Sequence, residues 1–344
     1  VGDGATADTS AVQAALDASS SDQLMLMLPT GTYKTTATLT VGSNTTLIGA
    51  GTISAIVPGA LTPAITVGGD DVVIDGITVN GNKASYAGVT EWKHGISIAA
   101  GCAAVTLRNV TCTANKGDGV YLDGSATPPT RVTLENVTST GNHRQGLSIV
   151  SGRDVLVIGG SYSSTSGTAP QSGIDIEPDD DAYVIDNITL LNVALDDNAG
   201  PGMQIDMRVG SDCQRGVRVI GGRAKGNDSG LLLKRLREVT IDGMVIDSNT
   251  NVGVEVNGDV TEGLRLQNCV IRLNGDRGVY AHPGTNPMDV MFVGNHVVDN
   301  AVDGATEGVM FDAAGTVFTA HNRITNETVG NNTNVFFTLT TNTW

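Results

Sequence analysis

The densest run of chemically capable side chains is Gly173-Ile-Asp175-Ile-Glu177-Pro178, followed at once by Asp179, Asp180 and Asp181. Two carboxyls two residues apart on an extended strand share one face and stand roughly 6.6 Å apart. Carboxyls at that range can divide general-acid and general-base work, because each raises the other's proton affinity and one stays protonated while its partner ionises. A third, Asp206, falls one sequence repeat later and would stack about 5 Å from Glu177 if successive repeats pair as strands. These separations bracket the roughly 5–5.5 Å and 6.5–9.5 Å that retaining and inverting glycoside hydrolysis use. Asp175, Glu177 and Asp206 are therefore the expected catalytic set. No cofactor is required for such chemistry, although Glu177, Asp179, Asp180 and Asp181 are also the oxygen-rich composition that calcium takes.

What must position these groups is a repeat. From residue 95 onward a glycine is followed by an apolar, variable, apolar, variable run: at Gly95, Gly119, Gly146, Gly173, Gly202, Gly230, Gly253, Gly278 and Gly308, spaced 23 to 30 residues apart. That period is a solenoid's and not a β-sandwich's. Each period holds a second alternating segment, such as Val105-Thr-Leu107, Val132-Thr-Leu134 or Val239-Thr-Ile241, so each repeat is a coil of short strands. The first and third residues after each glycine, among them Ile96, Ile98, Leu147, Ile149, Ile174, Ile176, Leu231 and Leu233, are apolar and form the expected core. Asparagine stands four residues before several of these glycines, at Asn115, Asn142, Asn198, Asn249 and Asn274, where an interior turn would stack amides into a ladder. The same structural reading covers the Asn-x-Ser/Thr matches at Asn109 and Asn136. The fold class is thus all-β, a single-domain right-handed parallel β-helix over residues 1–344, with an N-terminal cap and first coils over 1–70, regular coils over 71–325 and C-terminal closure over 326–344. A short capping helix is expected after Asp8-Thr9, where Val12, Ala15 and Leu16 have helical spacing. Val335-Phe336-Phe337 is expected to close the core.

Stacking the coils turns the second and fourth residues after each glycine into two outer columns. One reads Ser97, Tyr121, Ser148, Asp175, Gln204, Leu232, Glu255, Tyr280, Met310; the other reads Ala99, Asp123, Val150, Glu177, Asp206, Lys234, Asn257, His282, Asp312. Carboxylates, cations and aromatics mixed on one strip suggest a lined groove. The expected substrate-binding residues are Asp123, Tyr121, Arg144, Arg208, Lys234, Glu255, Tyr280 and His282, with Trp92 and His94 from the long segment that leads into the first rung. Aromatic rings at such an edge can stack on a sugar.

Composition narrows the partners. With 36 acidic against 20 basic residues the chain carries a net charge of −16, a field that repels nucleic acid. No apolar run reaches the roughly 18 residues that a membrane span needs. The 44 glycines often neighbour Asn, Asp or Ser, as in tight turns, and the four cysteines show no metal spacing and read as core thiols. A polysaccharide is the expected partner, in an extracellular or virion-surface setting. A homo-oligomer is compatible with the pattern, a trimer if the chain is tailspike-like.

The opening Gly2-Asp3-Gly4 with Asp8-Thr9, then Leu28-Pro29-x-Gly31-x-Tyr33, resembles the start of the pectate-lyase-like β-helix superfamily. A longer similarity, from about residue 73 to 260, is to the mannuronan C5-epimerase catalytic module and runs through Thr78-Val-Asn-Gly-Asn82, Asn142-His-Arg144-Gln-Gly146-Leu-Ser-Ile-Val150 and Gly230-Leu-Leu-Leu-Lys234. The family's Asp-Pro-His-Glu motif would fall on Ser97-Ile98-Ala99-Ala100, where it is missing. Its catalytic tyrosine falls on His94, and its aspartate is retained as Asp123. The resemblance, which extends to phage tailspike depolymerases, implies a carbohydrate groove. Three readings follow: a depolymerase of glycoside-hydrolase type; a uronan lyase or C5-epimerase using His94, Tyr121, Arg144 or Lys234 beside Asp123; and a non-catalytic glycan-binding or phage appendage protein.

Overall fold

The computed structural model describes residues 1–55, 62–87, 91–208, 211–257, 261–282, 288–300, 308–311, 315–325 and 335–337. It is a right-handed parallel β-helix, in which each coil gives one strand to each of three sheets of 13, 12 and 12 strands. The sheet that carries the candidate site runs from Leu39–Val41 to Val335–Phe337, and its neighbours in space are one coil apart in sequence. Its register is that of the predicted first column: Ser97 pairs with Tyr121, Tyr121 with Ser148, Ser148 with Asp175, Asp175 with Gln204, Gln204 with Leu232, Leu232 with Glu255 and Glu255 with Tyr280. Asp206 pairs with Lys234 in the second column, whose last member, Asp312, lies outside the described residues.

The inward set Ile96, Ile98, Leu147, Ile149, Ile174, Ile176, Leu231 and Leu233 is fully buried. The repeat glycines beside it serve a different purpose from the turns that composition suggests. They lack positive φ, and a Cβ on Gly146 would lie 2.5 Å from the carbonyl oxygen of Gly173, one on Gly230 2.4 Å from that of Gly253. Each marks a place where one coil's backbone rides on the next. Gly146→Ala is accordingly expected to cost about 1–3 kcal/mol as an overpacking defect, read as a lower urea midpoint with an unchanged denaturant slope.

The interior turn is tied by an amide ladder. Asn115 donates to Asn142 (2.8 Å), Asn198 to Asn227 (2.9 Å), Asn227 to Asn249 (3.0 Å), Asn249 to Asn274 (2.9 Å) and Asn274 to Asn300 (2.7 Å). Thr165 takes the rung above Asn198 (2.8 Å).

At the entry, the helix Thr9–Asp22 buries Val12, Leu16 and Ser19 and packs on Leu39–Val41, covering the first coil. Asp8 occupies the N-cap position without capping: its carboxylate takes the Gly2 N–H instead. Val335–Phe337 adds a last strand beside Val309–Phe311; its side chains lie outside the described set. Cys102, Cys112 and Cys269 are buried free thiols, whereas Cys213 is exposed, because it sits in the turn before Val217–Ile220 and not in a strand. No described helix is long and apolar enough to cross a membrane.

Candidate functional site

Asp175 and Glu177 line a cavity of about 180 Å³ on the outer face of the groove sheet, walled by Glu91, Trp92, Tyr121, Arg144, Ser148, Val150 and Asp179. Asp175 is buried because Ser148 and Gln204 flank it on the neighbouring coils. Its Oδ2 accepts from Gln145 Nε2 (3.2 Å), while Oδ1 has no protein partner. Burial pushes the Asp175 carboxyl well above the usual carboxylate range; Glu177, Asp118 and Asp206 push in the same direction and Arg144 opposes them. Glu177 is half-buried and accepts from Gln204 Nε2 (3.2 Å). Its carboxyl is also raised, first by burial, then by Asp206 and Asp179, against Lys234 and Arg144. Two adjacent carboxyls raised in this way titrate as a pair.

Asp206 stands where the columns place it, with one partner they did not show. It stacks one coil below Glu177, but Arg235 Nε holds its Oδ1 (2.7 Å) and Lys234 Nζ stands 3.5 Å from its Oδ2. Two cations thus share the buried Asp206 carboxyl beside Glu177. Arg235, which follows the strand Leu231–Lys234, carries no signal in the two columns. Arg208 turns away to Asp181 (2.7 Å), with both side chains exposed. Asp180 accepts its neighbour Ala182's N–H (2.9 Å). Glu177, Asp179, Asp180 and Asp181 therefore do not converge, and among the described residues no three acidic, imidazole or thiol groups form a metal cage.

The aromatic wall comes from the segment before the first rung. His94 and Tyr121 stack at 4.3 Å with rings nearly parallel, and exposed Trp92 meets both edge-on at 6.1 and 6.2 Å. His94 is buried behind Tyr121 and supports the wall. Burial pushes the Tyr121 phenol up, as do the nearby carboxylates Asp123, Asp179 and Asp118. Glu255, His282 and Tyr280 form a separate group three and four rungs below Asp175: His282 Nε2 lies 2.9 Å from Glu255 Oε1 and its ring 3.9 Å from that of Tyr280.

The family described as "Rhamnogalacturonase A/epimerase, pectate lyase-like" matches residues 1–218, well over half of the chain and all of the cavity. The chain belongs to this family. A second family description, "Right handed beta helix region", covers residues 163–343. Among solved structures, the A-module of a mannuronan C-5 epimerase of Azotobacter vinelandii is 18% identical over 94% of this chain and 97% of that one, with a TM-score of 0.69. A surface adhesin of Streptococcus pneumoniae is 15% identical over 95% of this chain and 89% of its own, TM-score 0.66. The Dettilon tailspike protein is 12% identical over 95% of this chain and 66% of its own, TM-score 0.67. At these identities the likeness is one of fold. No curated protein matches the chain in sequence.

Within this pectate-lyase-like chain a carboxyl that the columns did not mark lies under the cavity wall. Asp118 is fully buried beneath it, in contact with His94, Arg144, Gln145 and Ser148. The available signal was a third column, the residue before each repeat glycine: His94, Asp118, Gln145, Ser172, Pro201, Ser229, Val252, Arg277 and Glu307. A larger hollow of about 670 Å³ lies on another sheet, where Arg223 pairs with Asp196 (2.6 Å) and Arg272 with Asp247 (2.9 Å). Two of its three acids, Asp196 and Asp247, are neutralised by these partners.

Proposed function

We propose that the chain acts on a polysaccharide as a depolymerase of glycoside-hydrolase type. Asp175 delivers a proton to the departing glycosidic oxygen, and Glu177 takes one from the attacking water. The observation that carries this reading is the pair of carboxyls lining one walled cavity, Asp175 buried and Glu177 more accessible, with burial disfavouring the ionised form of Asp175. A strand places the two roughly 6.6 Å apart, within the range that admits a water and leads to inversion. Asp206, held by Lys234 and Arg235, adds to the field that favours the proton on Asp175 and Glu177. Exposed Trp92 and the Tyr121 edge offer the apolar face that a sugar ring covers. The proposed setting is extracellular or virion-surface.

The test is a panel of neutral, uronate-containing and bacterial capsular polysaccharides, read by size exclusion, reducing ends and the ultraviolet absorbance of unsaturated uronate. Shortened chains without absorbance, with an inverted anomeric product by NMR, are the expected result. Shortening with absorbance would replace hydrolysis by elimination. That second reading rests on Arg144, whose buried Nε is unpartnered and whose guanidinium lines the same cavity as Tyr121, an arrangement able to hold a uronate carboxylate. Binding without any change in the glycan would leave a carbohydrate-binding appendage.

A further inference from the structure

Asp118 is a fully buried carboxyl in the column of residues that precede the repeat glycines. On the next five coils that column reads Gln145, Ser172, Pro201, Ser229 and Val252, all neutral, before Arg277 and Glu307. A fully buried carboxylate is costly unless several donors meet it, and here they do. Asp118 Oδ1 accepts the Gln145 backbone N–H (3.0 Å), and Oδ2 accepts from Ser148 Oγ (3.0 Å) and Arg144 Nη1 (3.4 Å). His94 Nδ1 accepts the Asp118 backbone N–H (3.1 Å) and stands 3.3 Å from Oδ2, where an imidazolium would donate instead. Each partner leads to the cavity: Arg144 and Ser148 line it, Gln145 holds Asp175, and His94 backs Tyr121.

We propose that Asp118 is the positioning residue of this site, a buried carboxylate that holds Arg144 and Ser148 in the cavity wall and, through the Gln145 backbone, fixes the amide that orients Asp175. Arg144 is the reason such an anchor is needed. The charged groups that face Asp175 are Glu177, Arg144, Asp118 and Asp206, and Arg144 is the one cation among them. Released, its guanidinium would pair with Asp175, ionise it and remove the proton that the proposed hydrolysis uses. Asp118 keeps it beside the acid and short of an ion pair with it. The inference rests on the reading that Asp175 is the proton donor.

The experiment follows the Asp175 carboxyl by carbon NMR across pH, without substrate, in the wild type and in Asp118→Asn. The titration of Asp175 is expected to fall by about one pH unit or more, the effect of a cation gained as a close neighbour. On a cleaved glycan, kcat is expected to fall about tenfold or more with little change in KM, the alkaline limb moving down with the titration, and Asp118→Glu is expected to recover part of both. A folded Asp118→Asn protein in which neither titration nor limb moves overturns the proposal. Because loss of the Asp118 charge by itself lowers the Asp175 titration, Asp118→Asn/Arg144→Gln, which removes both charges, is also compared with Arg144→Gln alone. Titrations within about half a unit of each other support positioning through Arg144; a fall of about one unit or more in that background shows that charge alone acts, and overturns it. Full activity of Asp175→Asn would sink the proton-donor reading, while the substrate-free titration would still decide the role of Asp118.

Discussion

Asp175→Asn is expected to lower kcat by about 10²–10⁴-fold, the usual worth of a positioned acid or base, and at the same time to raise the unfolding temperature at neutral pH. The two effects have one cause. The Asp175 carboxyl is raised in the folded protein because burial and the charges of Glu177, Asp118 and Asp206 disfavour its ionised form. Between its ordinary value and the raised folded value the native state holds a proton that the unfolded chain has lost. Stability from this group is therefore fully present below the ordinary carboxylate range and declines as pH rises through the folded value. An asparagine keeps the shape and still accepts from Gln145 Nε2, but it never ionises. The variant should match the wild type in melting temperature near pH 4 and exceed it near pH 7. Glu177→Gln should lose activity over the same range, with a smaller gain in stability because Glu177 is only half-buried. An active Asp175→Asn would remove the acid assignment; an inactive one with no pH-dependent gain would mean that Asp175 is not the group carrying the proton.

That trade of stability for a reactive group marks where the sequence was readable. Alternation after each glycine determines which side chains point inward, and a solenoid lets each coil pair only with its neighbours, so the columns could be written down before any coordinates. Ser97 to Tyr280 stack in that order. What alternation cannot supply is who pairs with whom across the face. Asp206 sits in its column beside Lys234, yet Arg235, on the following turn, decides that Asp206 is neutralised. Arg208 follows Asp206 directly but points to Asp181. His94 and Asp118 precede their glycines, at the turn where the period of two breaks, so strand parity assigns them no face. The role of the glycines was hidden for a similar reason: composition shows that glycine is frequent, whereas the contact it permits, a neighbouring coil's carbonyl within 2.4 to 3.0 Å of an added Cβ, exists only once coils stack.

The amide ladder gives the second large expectation, on stability. Asn227 stands three residues before Gly230 instead of four, which is why spacing alone missed it, yet it is the middle rung. Its Oδ1 takes both the backbone N–H (3.0 Å) and the side-chain amide (2.9 Å) of Asn198, and its own amide reaches Leu195 O (2.9 Å) and Asn249 Oδ1 (3.0 Å). All three asparagines are buried. Asn227→Ala strands donors of Asn198 and the Leu195 carbonyl without water, at about 1–3 kcal/mol for each buried group left unsatisfied, so a loss on the order of 3–5 kcal/mol is expected. Asn251→Ala, which breaks an exposed amide bond to Asp228 (2.8 Å), should stay within about 0.5 kcal/mol. Because a solenoid is coupled only through adjacent repeats, the loss at Asn227 should not spread evenly. Urea unfolding of Asn227→Ala should broaden or split, with amide exchange quickening in the coils on either side of the broken rung. Uniform exchange and a single sharp transition at the wild-type midpoint would show that the ladder is dispensable and that the aliphatic core alone holds the coils in register.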